Sequence, residues 1–118
     1  MSILMIALGG ALGASLRFLV SSFFNNYSIL SFTLGTLVVN VIGCFFIGFY
    51  ISEVSEAISE NIKNFFIIGF LGSFTTFSAF TKESLELYQI FGMTNSFLYI
   101  LVTVILCLSA TFLGYKIS

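Results

Sequence analysis

The chain is 118 residues long, 58% hydrophobic and only 8% charged, with a formal net charge of −1 and no proline, tryptophan or histidine. A water-soluble domain carries about a quarter of its residues charged, so a separate soluble domain is excluded, and four basic residues against five acidic ones offer nothing to a nucleic acid. Apolar runs long enough to cross a bilayer recur along the chain, which makes the class an all-α, multi-pass integral membrane protein.

The first span covers residues 3–24. It begins without a Lys or Arg and lacks a small-residue cleavage site, so it reads as a retained helix and not as a removed signal. Gly9, Gly10, Ala11, Gly13 and Ala14 make one face small enough for another backbone to approach closely. Arg17 is the one basic group inside this apolar run. At membrane depth it costs about 2.5–3.5 kcal/mol unless it is paired or snorkels. It either reaches the headgroups or holds positive potential at an aqueous vestibule.

A short polar turn over 25–31 leads to the second span, 32–52, with Asn40 near its centre and Thr36 four residues away on the same face. The loop over 53–64 is the only markedly hydrophilic stretch, and its Ile, Val and Ala spacing lets it extend the flanking helices. The third span, 62–91, is longer than the roughly twenty residues that one straight helix needs to cross. A break at 72–76 resolves this. There the run G-F-L-G-S-F-T-T-F-S-A-F at 69–80 crowds glycines and hydroxyls into an apolar setting. Interrupted helices at membrane depth are tolerated where protein or a cavity covers them, and they mark ion or substrate sites. The ordinary alternative is a continuous helix whose hydroxyls bond the preceding turn. A turn at 92–95 then leads to the fourth span, 96–117, where Tyr99, Thr103 and Cys107 recur at four-residue steps.

Four spans in so short a chain leave almost no loop, and a monomer of this size does not readily enclose a water-filled path, so an oligomer is expected. Lys63 and Lys116 fall on one side of the membrane, and Lys82 and Arg17 on the other if Arg17 snorkels that way. This balance favours no orientation. It permits an antiparallel dimer, and it equally reflects how few the charges are.

No His, cysteine cluster or nucleophile–base set is present, so the residues do not describe an enzyme. Cys44 and Cys107 lie in apolar runs without the spacing of a metal site or redox pair, and read as small buried hydrophobes. Asn40, Ser78 and the threonines are neutral polar groups, suited to an ion that sheds water. Phe77 and Phe80 share a face at i, i+3. That spacing serves either packing or a pore wall whose ring edges carry weak positive potential.

Three motifs then carry a family resemblance: G-G-A-L-G-A-S-L-R-F from Gly9, G-T-L-V-V-N-V-I-G-C-F-F-I-G from Gly35, and G-F-L-G-S-F-T-T-F-S-A-F-T-K-E from Gly69. In order and spacing, over three of the four spans, the chain resembles the Fluc (CrcB) fluoride channels of microorganisms. The resemblance implies passive fluoride export through an antiparallel, dual-topology homodimer in the cell membrane, with two pores lined by both subunits. Matched by motif, Phe77 and Phe80 correspond to the pore phenylalanines, Asn40 to the pore amide and Arg17 to the vestibule arginine. Gly72 and Thr75 fall where broken third helices offer backbone carbonyls to a central, structural Na+ ion. Thr36 and Glu83 also match the family pattern, and Tyr99, Thr103 and Cys107 resemble its polar track by spacing. Ala79 and Cys107 depart from it, standing where hydroxyls are usual. The small multidrug exporters are also four-helix, dual-topology dimers, but they resemble one another in using a carboxylate in the first span, where this chain has only Arg17. An accessory membrane subunit would need no polar track.

Overall fold

The structure is a computed structural model that describes residues 2–25, 28–29, 32–53 and 60–117. Four of its helical stretches are long and apolar enough to cross a membrane: Ser2–Phe24, Leu34–Ile51, Asn61–Phe91 and Met93–Ile117. Large apolar side chains such as Phe18, Phe23, Phe97, Leu108 and Phe112 point outward, while Thr36, Asn40, Ser84, Ser96 and Thr103 are buried. With lipid as the solvent, apolar surface gains nothing by leaving it, and close backbone packing and internal hydrogen bonds hold the helices together.

Helix α1 (Ser2–Phe24) runs into a two-residue strand, β1 (Ser28–Ile29), which pairs antiparallel with β2 (Phe32–Thr33), Ser28 opposite Thr33 and Ile29 opposite Phe32. The second span therefore enters its helix, α2 (Leu34–Glu53), two residues later than the expected start at residue 32. An aromatic residue at 32 and a β-branched one at 33 are types that favour an extended backbone. Of the hydrophilic loop, residues 54–59 lie outside the described residues. The third span begins as one helical turn, α3 (Glu60–Lys63), so the last part of that loop does extend the following helix.

After α3 the chain widens into a π-helical segment, Asn64–Leu71, then tightens into α4 (Gly72–Phe74). The break is narrower than the expected 72–76. Gly72 keeps helical angles (φ −63°, ψ −29°) and its N–H stays in the ladder, whereas Thr75 (φ −78°, ψ 145°) and Thr76 (φ −145°, ψ 119°) are extended. Two β-branched residues, not the glycine, make the interruption, because an extended backbone is their preferred conformation. Helix α5 (Phe77–Phe91) follows, capped by the Thr76 side chain, which accepts the Ala79 N–H at 3.2 Å.

The last connection is also tighter than the expected turn at 92–95. Gly92 alone reverses the chain at φ +101°, its N–H reaching the Leu87 and Tyr88 carbonyls, and α6 (Met93–Ile117) starts at the next residue. A positive φ is what a glycine after a helix supplies. The fourth span thus starts at 93 and not at 96.

Two seams position the site. Along the first, α1 lies against the π segment: a Cβ on Gly9 would fall 2.2 Å from the Phe65 carbonyl oxygen, on Gly13 2.3 Å from that of Phe70, and on Gly69 2.6 Å from that of Ile6. The small face of the first span has found its partner. Along the second, the parallel helices α2 and α6 meet just as closely: a Cβ on Gly48 would fall 1.9 Å from the Thr111 carbonyl oxygen and one on Gly114 2.2 Å from that of Phe45.

Candidate functional site

The seam between α2 and α6 carries two facing columns at one helical repeat, Thr36, Asn40, Cys44 and Gly48 on α2 and Tyr99, Thr103, Cys107 and Thr111 on α6. The rungs are joined in different ways. At one end Glu83 of α5 reaches between them, its carboxylate accepting hydrogen bonds from the Thr36 hydroxyl and from Tyr99 Oη (3.3 Å). At the other, Thr111 Oγ1 lies 3.1 Å from the carbonyl oxygens of both Cys44 and Cys107. Between them the wall opens onto a cavity of about 540 Å³ lined by Asn40, Cys44, Gly72, Thr75, Thr76, Phe77, Phe80, Thr103 and Cys107 together with the aliphatic Val104 and Leu108.

Asn40 holds the broken helix open. Its Oδ1 accepts the Thr76 N–H at 2.8 Å and its Nδ2 donates to the Thr76 carbonyl at 3.0 Å, so both backbone groups of the break are satisfied by one amide. Next to it Gly43 leaves room for Thr75, since a Cβ there would lie 1.8 Å from Thr75 Cγ2. The Thr75 hydroxyl turns back to the Leu71 carbonyl, as a threonine at a helix end commonly does.

These side-chain bonds free two carbonyls. In an unbroken helix Gly72 would accept from the Thr76 N–H and Thr75 from the Ala79 N–H, but those donors go to Asn40 Oδ1 and Thr76 Oγ1. Between them in the chain, the Ser73 carbonyl accepts from Arg17 Nε at 3.0 Å. The guanidinium thus sits at the C-terminal end of the first half-helix, where partial negative charge favours it, and its bond lies two residues short of the break.

The two phenylalanines part company. Their ring centroids are 5.4 Å apart at a 49° tilt, yet Phe77 is 75% exposed and Phe80 only 7%. Phe80 packs on Tyr99 with centroids 5.7 Å apart and shares a core cluster with Leu87. That contact ties the cavity to the Glu83 cluster. Thr103 Oγ1, in a residue only 4% exposed on the cavity wall, has no hydrogen-bond partner among the described residues. A buried hydroxyl left unpaired is unusual and costly.

The structure therefore brings Asn40, Gly72, Thr75, Phe77, Phe80 and Thr103 to one cavity and gathers Thr36, Glu83 and Tyr99 beside it. Ser78 stands apart, its exposed hydroxyl 3.1 Å from Thr76 Oγ1. Sequence reasoning expected a close helix contact at Gly43, which is where Thr75 packs, but gave no part in the site to Cys44, which is on the cavity wall one turn from Asn40. The four-residue step from Asn40 carried the signal for Cys44. Nothing in the spacing pointed to the bond between Arg17 and Ser73.

Comparison with known proteins adds the family. The model of the CrcB-like protein, Camphor Resistance (CrcB), matches residues 4–115. A protein of Azobacteroides pseudotrichonymphae named fluoride-specific ion channel FluC is 43% identical, over 98% of this chain and 94% of its own length. A protein of that name from Campylobacter fetus is 46% identical, over 98% and 92%, and one from Aquifex aeolicus 43% identical, over 93% and 90%.

Proposed function

We propose that this chain, which belongs to the CrcB-like family and is a multi-pass membrane protein, is a channel that lets fluoride leave the cell passively. The observation that carries the reading is the polar wall between α2 and α6, which faces the broken third span at membrane depth. A small anion that gives up water needs replacement donors. The Asn40 amide has a second N–H beyond the one spent on Thr76, and Thr103 has an unpaired hydroxyl. Both are neutral, so an ion can bind and still leave, which conduction requires. The rings of Phe77 and Phe80 add weak positive potential where their edges turn to the path.

The working unit is an antiparallel homodimer. Supporting this, the cavity of one chain is open along the Phe77 side, and a second copy inserted the other way would close it. The carbonyls of Gly72 and Thr75, released from the helix ladder, suit a Na+ ion shared by both copies, because hard cations take oxygen ligands and half-helix ends carry partial negative charge. Such an ion would bind the two broken spans together. Arg17, bonded to the Ser73 carbonyl, supplies positive potential near the entrance to the break.

Fluoride efflux from proteoliposomes, read with a fluoride electrode and repeated with chloride, tests the function. Fluoride release well above protein-free vesicles with little chloride release supports it, and equal silence for both refutes it. Antiparallel assembly has its own test at Ser118, which lies outside the described residues. With Cys44 and Cys107 replaced by Ser, Ser118→Cys should react with impermeant reagents on both faces of the membrane, and labelling from one face alone would exclude dual topology.

A further inference from the structure

Cys44 and Cys107 stand far apart in sequence, and neither has another cysteine or a histidine near it. The fold sets them opposite each other. They are facing rungs of the α2 and α6 columns, one turn from Asn40 and Thr103 on one side and from Gly48 and Thr111 on the other. The two backbones are close there, as the contact of Gly48 with the Thr111 carbonyl and the shared bond of Thr111 Oγ1 to both cysteine carbonyls record. Both thiols are free and on the cavity wall. Among the described residues no third His, Cys, Asp or Glu joins them in a metal-holding group. The chemistry left to them is that of a dithiol.

We propose that Cys44 and Cys107 form an oxidisable pair that a peroxide converts to an intramolecular disulfide, tying α2 to α6 across the cavity wall. One cysteine, as thiolate, attacks a peroxide oxygen. The O–O bond breaks, leaving a sulfenic acid and a hydroxide that takes up a proton to become water. The other thiol attacks the sulfenic sulfur, the S–S bond forms, the S–O bond breaks and a second water leaves. Two thiols lose two electrons and hydrogen peroxide gains them. An S–S bond needs Cβ atoms about 3.5–4.5 Å apart, a spacing that facing residues can meet where glycines bring two helices into backbone contact. The effect on transport rests on the proposed function. The bridge removes two S–H groups from the wall and locks its two helices, so fluoride efflux should fall.

Purified protein in liposomes, treated with hydrogen peroxide and then alkylated, supplies both readouts. Mass spectrometry should show a monomer lighter by two hydrogens with neither cysteine alkylated. Efflux should drop roughly fivefold, the scale of one lost hydrogen bond on a barrier, and recover with a thiol reductant. Cys44→Ser and Cys107→Ser should each abolish the mass change and the response to peroxide. Full alkylation of both thiols after peroxide, or a disulfide-linked dimer on a non-reducing gel, would overturn the pairing. A disulfide that leaves efflux unchanged would overturn its place on the path. Protein that forms the disulfide but never released fluoride would refute the proposed function and leave the pairing standing.

Discussion

The seams of α1 with the π segment and of α2 with α6 bring backbones equally close by the same device, glycines set against carbonyl oxygens, yet they differ in everything else. In the first, the approach is an end in itself. Gly9, Gly13 and Gly69 meet backbone atoms, and a long polar contact, from Arg17 to Ser73, lies at its edge. In the second, the same closeness aligns two polar columns and leaves a cavity with an unpaired hydroxyl. The contrast separates structural from functional closeness. A seam that only holds helices together buries nothing polar that is unsatisfied, whereas one that handles an ion must keep some donors unspent.

Substitutions that strike one seam and spare the other test this contrast. The largest effect is expected at Gly13, where a valine would drive its side chain into the Phe70 carbonyl. Overpacking costs about 1–3 kcal/mol, and occasionally more, with the upper end expected against a backbone that cannot move. Gly13→Val should yield little folded protein by size-exclusion chromatography, with transport lost in proportion. Asn40→Leu comes next. It leaves the part-buried Thr76 N–H and carbonyl without their partner, at up to about 1–3 kcal/mol for each group. Folded protein should persist at lowered Tm while fluoride efflux falls more than the folded fraction does. Efflux that merely tracks the folded fraction would reduce Asn40 to a brace.

The phenylalanines divide the two effects. Phe80→Ile removes a ring packed on Tyr99 and should cost about 1–2 kcal/mol, whereas Phe77→Ile, at an exposed site, should change monomer stability by less than about 0.5 kcal/mol. Both should cut fluoride efflux sharply. Unchanged efflux in both variants would make the rings packing alone.

Much of this was legible in the sequence because membrane spans are written in composition and glycine spacing. The four spans and the interruption of the third follow from apolar run length, and the polar columns from four-residue steps of Thr36, Asn40, Tyr99 and Thr103. What the sequence hid depends on partners. The glycine at 72 suggested the break, but the extended residues are Thr75 and Thr76, whose conformation is fixed by Asn40 from another helix. The π-helical widening of Asn64–Leu71 leaves no mark in residue spacing that a plain helix would not. Cys44 and Cys107 looked inert because a facing pair on two parallel helices has no sequence motif. Phe77 and Phe80 share a face by spacing, yet burial splits them, since only Phe80 meets Tyr99.

The smallest change is the most direct test of whether the α2 and α6 wall handles the ion. Thr103→Val keeps the shape of the side chain and removes a buried hydroxyl that has no hydrogen-bond partner among the described residues. Deleting an unsatisfied polar group from a buried site is neutral or stabilising. If that hydroxyl is held in reserve for fluoride, one preparation should show Tm unchanged or raised and fluoride efflux lowered roughly fivefold, about 1 kcal/mol on the barrier. Parental efflux at unchanged Tm would contradict this and make the wall a packing surface.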